Sequence, residues 1–111
     1  MAKIKLRTYD VANYLRTPAQ RAAYLEACIE EANGETAFIV RALGNIARSQ
    51  GMSGVARITG LSRESLYKAL SGDTSPTFDT ILKVTEALGI RFYAKVARTK
   101  GEGVRAKLAH A

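Results

Sequence analysis

Residues 62–71 read Ser-Arg-Glu-Ser-Leu-Tyr-Lys-Ala-Leu-Ser, and the polar members are of types that recognise nucleic-acid edges. Arg63 can donate two parallel hydrogen bonds to a guanine edge, and Glu64 can accept one from a cytosine amino group. Tyr67 and Lys68 can reach a base or a phosphate. On a helix with Leu66 turned inward, Glu64, Lys68 and Ser71 point roughly opposite, and Tyr67 lies on the flank. Ser62 and Arg63 then occupy the exposed N-terminal end. A polar face is ordinary on a surface helix, so the elements that hold it decide more than any one side chain.

Those elements are written into residues 52–71. Two short helices are expected, 53–59 and 63–70, joined by Gly60-Leu61-Ser62. They pack at a steep angle only if particular positions are small or apolar. Ala56 is small where the helices cross, with Val55 beside it. Gly60 permits the positive φ of a tight turn. Leu61 plugs the angle between the helices, Leu66 and Ala69/Leu70 anchor the second helix, and Ser62 caps it. This is helix-turn-helix spacing, whose second helix lies in the DNA major groove. Phosphate contacts are expected from hydroxyls and helix starts around it: Ser53 at the first helix, then Thr74, Ser75 and Thr77 in the following loop and cap. Capping and turning is the alternative role for these side chains, and for Thr77 both roles stand open. Arg41 and Arg48 face away from the apolar stripe of their helix, where solvation alone explains them.

The remaining punctuation is also helical. Thr17-Pro18-Ala19-Gln20 opens a helix with a capping box and a proline in the first turn. Ala22, Leu25, Cys28, Ile29 and Ala32 recur at helical spacing until Asn33-Gly34. Asp10 can cap a short turn through Val11, Ala12, Tyr14 and Leu15. A helix over 35–50 buries Phe38, Ile39, Ala42, Leu43, Ile46 and Ala47. A last helix, 78–88, turns Phe78, Ile81, Leu82, Thr85 and Leu88 inward and stops at Gly89. Ile90, Phe92, Ala94 and Val96 then alternate with polar residues, the pattern of a strand. One strand needs a partner, either the Ile4/Leu6 stretch or its own copy in a dimer. The expected organisation is a single all-α domain over 1–111. An N-terminal helical extension (8–34) precedes a helix-turn-helix core (35–89), one short C-terminal β-strand (90–98) and a flexible basic tail (99–111).

Composition removes several chemistries. The chain has 111 residues, a net charge of +7 and a pI near 9.9, which makes a polyanion the first partner to test. That charge is diffuse: residues 99–111 carry +2 (three Lys/Arg, one Glu) and residues 51–76 only +1 (three against two). Cys28 is the single cysteine and His110 the single histidine. Neither a disulfide, a multi-cysteine zinc site nor a Ser-His-Asp triad can be assembled from them. No cofactor, metal site or catalytic residue is therefore expected. Glu26, Glu30 and Glu31 share one helix without a nucleophile or metal-ligand partner. Aromatic stacking on RNA is disfavoured, because Phe38, Phe78 and Phe92 all fit core positions. No apolar run reaches membrane-span length, and the basic N-terminus leads into Thr8-Tyr9-Asp10 without a signal-peptide core. The expectation is a cytoplasmic, non-membrane, non-enzymatic protein.

Gly51-Met52-Ser53, the run from Gly60 to Gly72, Pro76-Thr77-Phe78 and Ala87-Leu88-Gly89 resemble the addiction-module antidote proteins. These are HigA-like antitoxins, also known as prophage DNA-binding proteins, within the broad lambda-repressor-like class. Tyr9-Asp10-Val11-Ala12, Tyr14-Leu15, Tyr24-Leu25 and Ala42-Leu43-Gly44-Asn45-Ile46-Ala47 agree as well, so the resemblance spans about 9–92. It implies a homodimer that binds the double-stranded operator of its own operon as a repressor and neutralises a RelE/ParE-type toxin. Ser62, Arg63, Glu64, Tyr67 and Lys68 carry over as recognition-helix residues, and no toxin-contacting residue does. Gly54 departs from the wider class, where a phosphate-gripping Gln is common, and Ser53 is the substitute at hand. The tail beyond Arg98 also departs from a compact member. Two other roles fit the same residues: a solitary prophage-type regulator, or a toxin-binding module with weak DNA affinity.

Overall fold

The computed structural model describes residues 15–97, and the described chain is all-helical. Five helices follow one another: α1 (Pro18–Ala32), α2 (Thr36–Gln50), α3 (Met52–Thr59), α4 (Arg63–Ala69) and α5 (Phe78–Ala87). The turn expected after Asp10 and the Ile4/Leu6 stretch lie outside the described residues, as does the tail from 99.

Local chemistry sets the helix ends. Thr17 accepts the Gln20 backbone N–H at 3.1 Å while the Gln20 side chain accepts the Thr17 N–H at 3.1 Å, completing the capping box. Asn33 closes α1 in the left-handed conformation (φ 54, ψ 39), and Gly34 continues the turn at φ 89. α1 and α2 thus form a helical hairpin. Glu35 is the N-cap of α2, one residue ahead of the helix.

α2 contributes more residues to the core than any other helix. Leu43, Ile46 and Ala47 are almost fully buried, and they join Leu25 and Cys28 of α1, Val55 of α3, Leu66 of α4 and Val84 of α5 in one apolar core. Leu15, ahead of α1, is buried with them. Gly44 brings α2 against the end of α4: a Cβ there would lie 2.9 Å from the Leu70 carbonyl oxygen. At its far end Gln50 Nε2 donates to the Ala87 carbonyl at 3.1 Å, tying α2 to α5.

Three expected buried stripes lose members to the surface in the structure. On α5, Val84, Thr85 and Ala87 are buried, whereas Phe78 and Leu82 lie on the exposed flank. On α2, Val40 is buried and Phe38 is exposed; on α1, Ala22 and Ile29 are exposed. Each helix carries apolar residues on more than one side, and packing against its neighbours in the shared core selects among them.

The expected C-terminal strand is not formed among the described residues. After Gly89 (φ 75), Ile90 is buried and its N–H donates to the Thr85 carbonyl at 2.9 Å. Residues 91–97 run on without regular structure and are exposed. A strand needs a neighbouring ladder of N–H and C=O groups, and none of the five helices supplies one. Lys95 Nζ instead lies 3.9 Å from Glu26 on α1.

Candidate nucleic-acid interface

The unit that displays the polar residues is α3, the three-residue turn and α4. Gly60 takes φ 82 and ψ 5, a left-handed conformation that costs most residues and not glycine. Its N–H donates to the Ala56 carbonyl at 2.9 Å, and the Thr59 hydroxyl donates to the same oxygen at 3.1 Å. Leu61 then packs partly buried against the core. Ser62 caps α4 by accepting the Ser65 N–H at 3.0 Å, and the Ser62 carbonyl accepts from Leu66 N–H at 2.9 Å. With Leu66 fully buried, the phase of α4 is set. Arg63, Glu64, Tyr67 and Lys68 all face solvent, together with Ser62.

Arg63 and Tyr67 are neighbours one turn apart, with the guanidinium carbon 5.8 Å from the ring centroid. That cation–π contact steadies a long side chain without using its N–H donors. Neither ion pair found among the described residues, Lys83–Asp79 or Lys95–Glu26, engages Arg63, Glu64 or Lys68. The two cations and the carboxylate of α4 remain available to a ligand.

The surrounding hydroxyls divide into two groups. Ser71 Oγ donates to the Lys68 carbonyl at 2.9 Å and accepts the Asp73 N–H at 3.0 Å. Thr74 Oγ1 donates to the same Lys68 carbonyl at 3.3 Å. Both therefore close the C-terminal end of α4, and Ser71 is only partly exposed. Thr77 caps α5, accepting the Thr80 N–H at 3.1 Å and donating to the Thr80 hydroxyl at 3.1 Å. Ser53 stands differently. The helix begins one residue earlier than expected, with Gly51 as N-cap and no side-chain cap bond, so Ser53 is the exposed second residue of α3.

Sequence reasoning missed the supports behind this face. Arg41, expected to be merely solvated, lies over the turn after α4: a Cβ on Gly72 (φ 88) would come within 2.7 Å of its Nη1. Arg48 donates to Asn45 Oδ1, and Asn45 Nδ2 donates to the Tyr24 hydroxyl at 3.0 Å, linking α2 to α1. The Ser71-Gly72-Asp73 turn was the signal for the first contact; nothing local announces the second. Burial raises the Tyr24 phenol above its ordinary range and likewise the Cys28 thiol beneath it. A thiol held protonated is a core side chain rather than a nucleophile.

Phe38, Phe78 and Phe92, expected in the core, are all substantially exposed. They lie on α2, on α5 and after α5 respectively, and α4 itself presents only Tyr67. No helix among the described residues is long and apolar enough to cross a membrane.

Comparison with known proteins completes the description. An uncharacterized protein of Haemophilus influenzae is 45% identical over 94 residues, covering 85% of this chain and 95% of that protein. No solved structure matches the chain. A family model described as "Probable addiction module antidote protein" matches residues 5–101. With that match running through all five helices, the chain belongs to this addiction module antidote family, a membership that implies a toxin as its partner.

Proposed function

We propose that this chain is the DNA-binding antitoxin of a type II toxin–antitoxin module, acting in the cytoplasm as a homodimeric repressor of its own operon. In this reading α3, the Gly60 turn and α4 are a lambda-repressor-like, HigA-like helix-turn-helix. The observation that carries it is the division of α4: Leu66 is wholly inside, while Arg63, Glu64, Tyr67 and Lys68 project together, and neither ion pair among the described residues engages them. Arg63 and Glu64 read base edges at the N-terminal end of the helix, and Tyr67 and Lys68 reach the adjoining base or phosphate. Ser53 and Ser62, at the starts of α3 and α4, take phosphates from the flanks. Ser71, Thr74 and Thr77 contribute by holding the loop and the start of α5 in place. The toxin is a small RelE/ParE-like protein.

Direct binding measurements test the DNA role. Fluorescence anisotropy would compare the DNA upstream of the chain's own reading frame with random duplex across a salt series. Affinity should fall steeply with salt, because phosphate contacts release counterions, and the upstream DNA should stay preferred throughout. Equal affinity for both duplexes at every salt would refute operator recognition. Growth rescue on co-expression with the toxin-like product of the adjacent reading frame tests the antidote role. Rescue without DNA preference would favour a toxin-binding module, for which α1 offers the exposed Ile29, Glu30 and Glu31.

A further inference from the structure

The proposed recognition unit leaves one group of large apolar side chains unexplained. Phe78 is 68% exposed, Ile58 64% and Leu82 40%. Phe78 and Leu82 are one turn apart on α5. Leu82 lines an open depression of about 430 Å3 together with Thr85, Glu86, Gly89 and Phe92. Ile58 shares a second hollow with Lys83 and Glu86, so Glu86 joins the two. The stripe of Phe78, Leu82 and, across the depression, Phe92 marks an interaction site rather than scattered surface residues.

We infer that this face of α5 is where two copies of the chain meet, antiparallel about Leu82. The inference deepens the homodimer of the proposed function by naming its surface. Shape is the first argument. The protruding Phe78 stands four residues before Leu82, and the depression is centred three to seven residues after it. A two-fold axis at Leu82 places residue 78 of one copy opposite residue 86 of the other. Each Phe78 then enters its partner's hollow among Thr85, Glu86 and Gly89, and the fit is made twice, as an isologous interface requires.

Charge is the second argument. Two copies of a +7 chain repel each other, and the approach costs least where the surface is neutral. The polar residues bordering this stripe are Asp79, Lys83, Glu86 and Arg91, two of each sign. Lys83 and Asp79 already pair at 3.4 Å. A strongly basic partner would call for an acidic border, which this face lacks. A dimer here also gives the two α4 helices a rigid spacing, because Thr77, the cap of α5, directly follows the loop that closes α4.

Sedimentation equilibrium of the full chain, without DNA, provides the test. The wild type should show twice the 12.0 kDa of one chain. Phe78→Glu should sediment as a monomer at the same concentration, with unchanged helical circular dichroism, since that side chain makes little contact within its own chain. Under mild oxidation Leu82→Cys should give a disulfide-linked dimer on a non-reducing gel, whereas Asp73→Cys, on the loop after α4, should not. A monomeric wild type overturns the proposal. So does a Phe78→Glu variant that stays dimeric while Leu82→Cys fails to cross-link. A Phe78→Glu variant of unchanged mass that no longer retains a co-expressed toxin would also overturn it, assigning the face to the toxin instead. None of these readouts involves operator preference, so failure here leaves the DNA-binding test standing.

Discussion

The Arg63 guanidinium lies 5.8 Å from the centre of the Tyr67 ring, on the one side of α4 that the core does not cover. An arginine held in this way loses less side-chain entropy when it meets a base edge than one that moves freely. Arg63→Ala should therefore cost operator preference about 1–3 kcal/mol, with the fold intact because residue 63 is exposed. Tyr67→Ala should weaken the same preference by a smaller amount. Competition binding against random duplex measures both, and unchanged selectivity in Arg63→Ala would remove this residue from base readout.

The turn itself is tested at Gly60. Its φ of 82 is left-handed, and nothing among the described residues lies within 4 Å of a Cβ placed there, so the cost of a side chain is conformational. Gly60→Val should destabilise the domain by about 1–2 kcal/mol, and Gly60→Asn by clearly less. Urea denaturation separates the two. Equal stability of the valine variant and wild type would contradict the left-handed turn.

Two other glycines should respond in opposite directions. Gly44→Ala gains about 1 kcal/mol of helix propensity but drives a methyl to 2.9 Å from the Leu70 carbonyl oxygen. Overpacking of this kind costs about 1–3 kcal/mol, so a net loss of stability is expected. Gly54→Ala on α3 has only Arg57 Nη2 nearby, at 3.9 Å, and should stabilise by about 0.5–1 kcal/mol. Thermal melts of the pair would show whether α2 and α4 are as closely apposed as the backbone indicates.

Alkaline pH should expose the Tyr24–Cys28 region. Burial raises the Cys28 thiol above its ordinary 9.0 and the Tyr24 phenol above its ordinary 10.0. The unfolded chain therefore loses these protons first as pH rises. The stability they contribute is complete below about pH 9 and is lost as pH climbs through the raised folded values. Urea midpoints measured from pH 7 upward should fall in that window. Cys28→Ala should remove the earlier part of the fall, and an identical pH profile in that variant would exclude the thiol.

By itself the sequence determined what depends on near neighbours along the chain. The Thr17/Gln20 box, the Asn33-Gly34 stop, the Gly60 turn and the Ser62 cap all form as their residue types require, because each is a bond or dihedral within a few residues. Hence the five described helices start and end within a residue or so of expectation, and so does the exposed set on α4. The tertiary structure decided what depends on which elements meet. Helical period alone cannot say which side of α5 is covered, and packing on α3 and the shared core buried Val84 while leaving Phe78 and Leu82 outside. The hydroxyls of Ser71 and Thr74 were consumed by the Lys68 carbonyl once the loop folded back. Gly44 against Leu70, Arg41 over Gly72 and Asn45 on Tyr24 join residues 21 to 31 apart, and no local pattern encodes such pairs. Residues 91–97 kept the alternation of a strand without becoming one, since a strand is defined by a partner's hydrogen bonds and the described helices offer none.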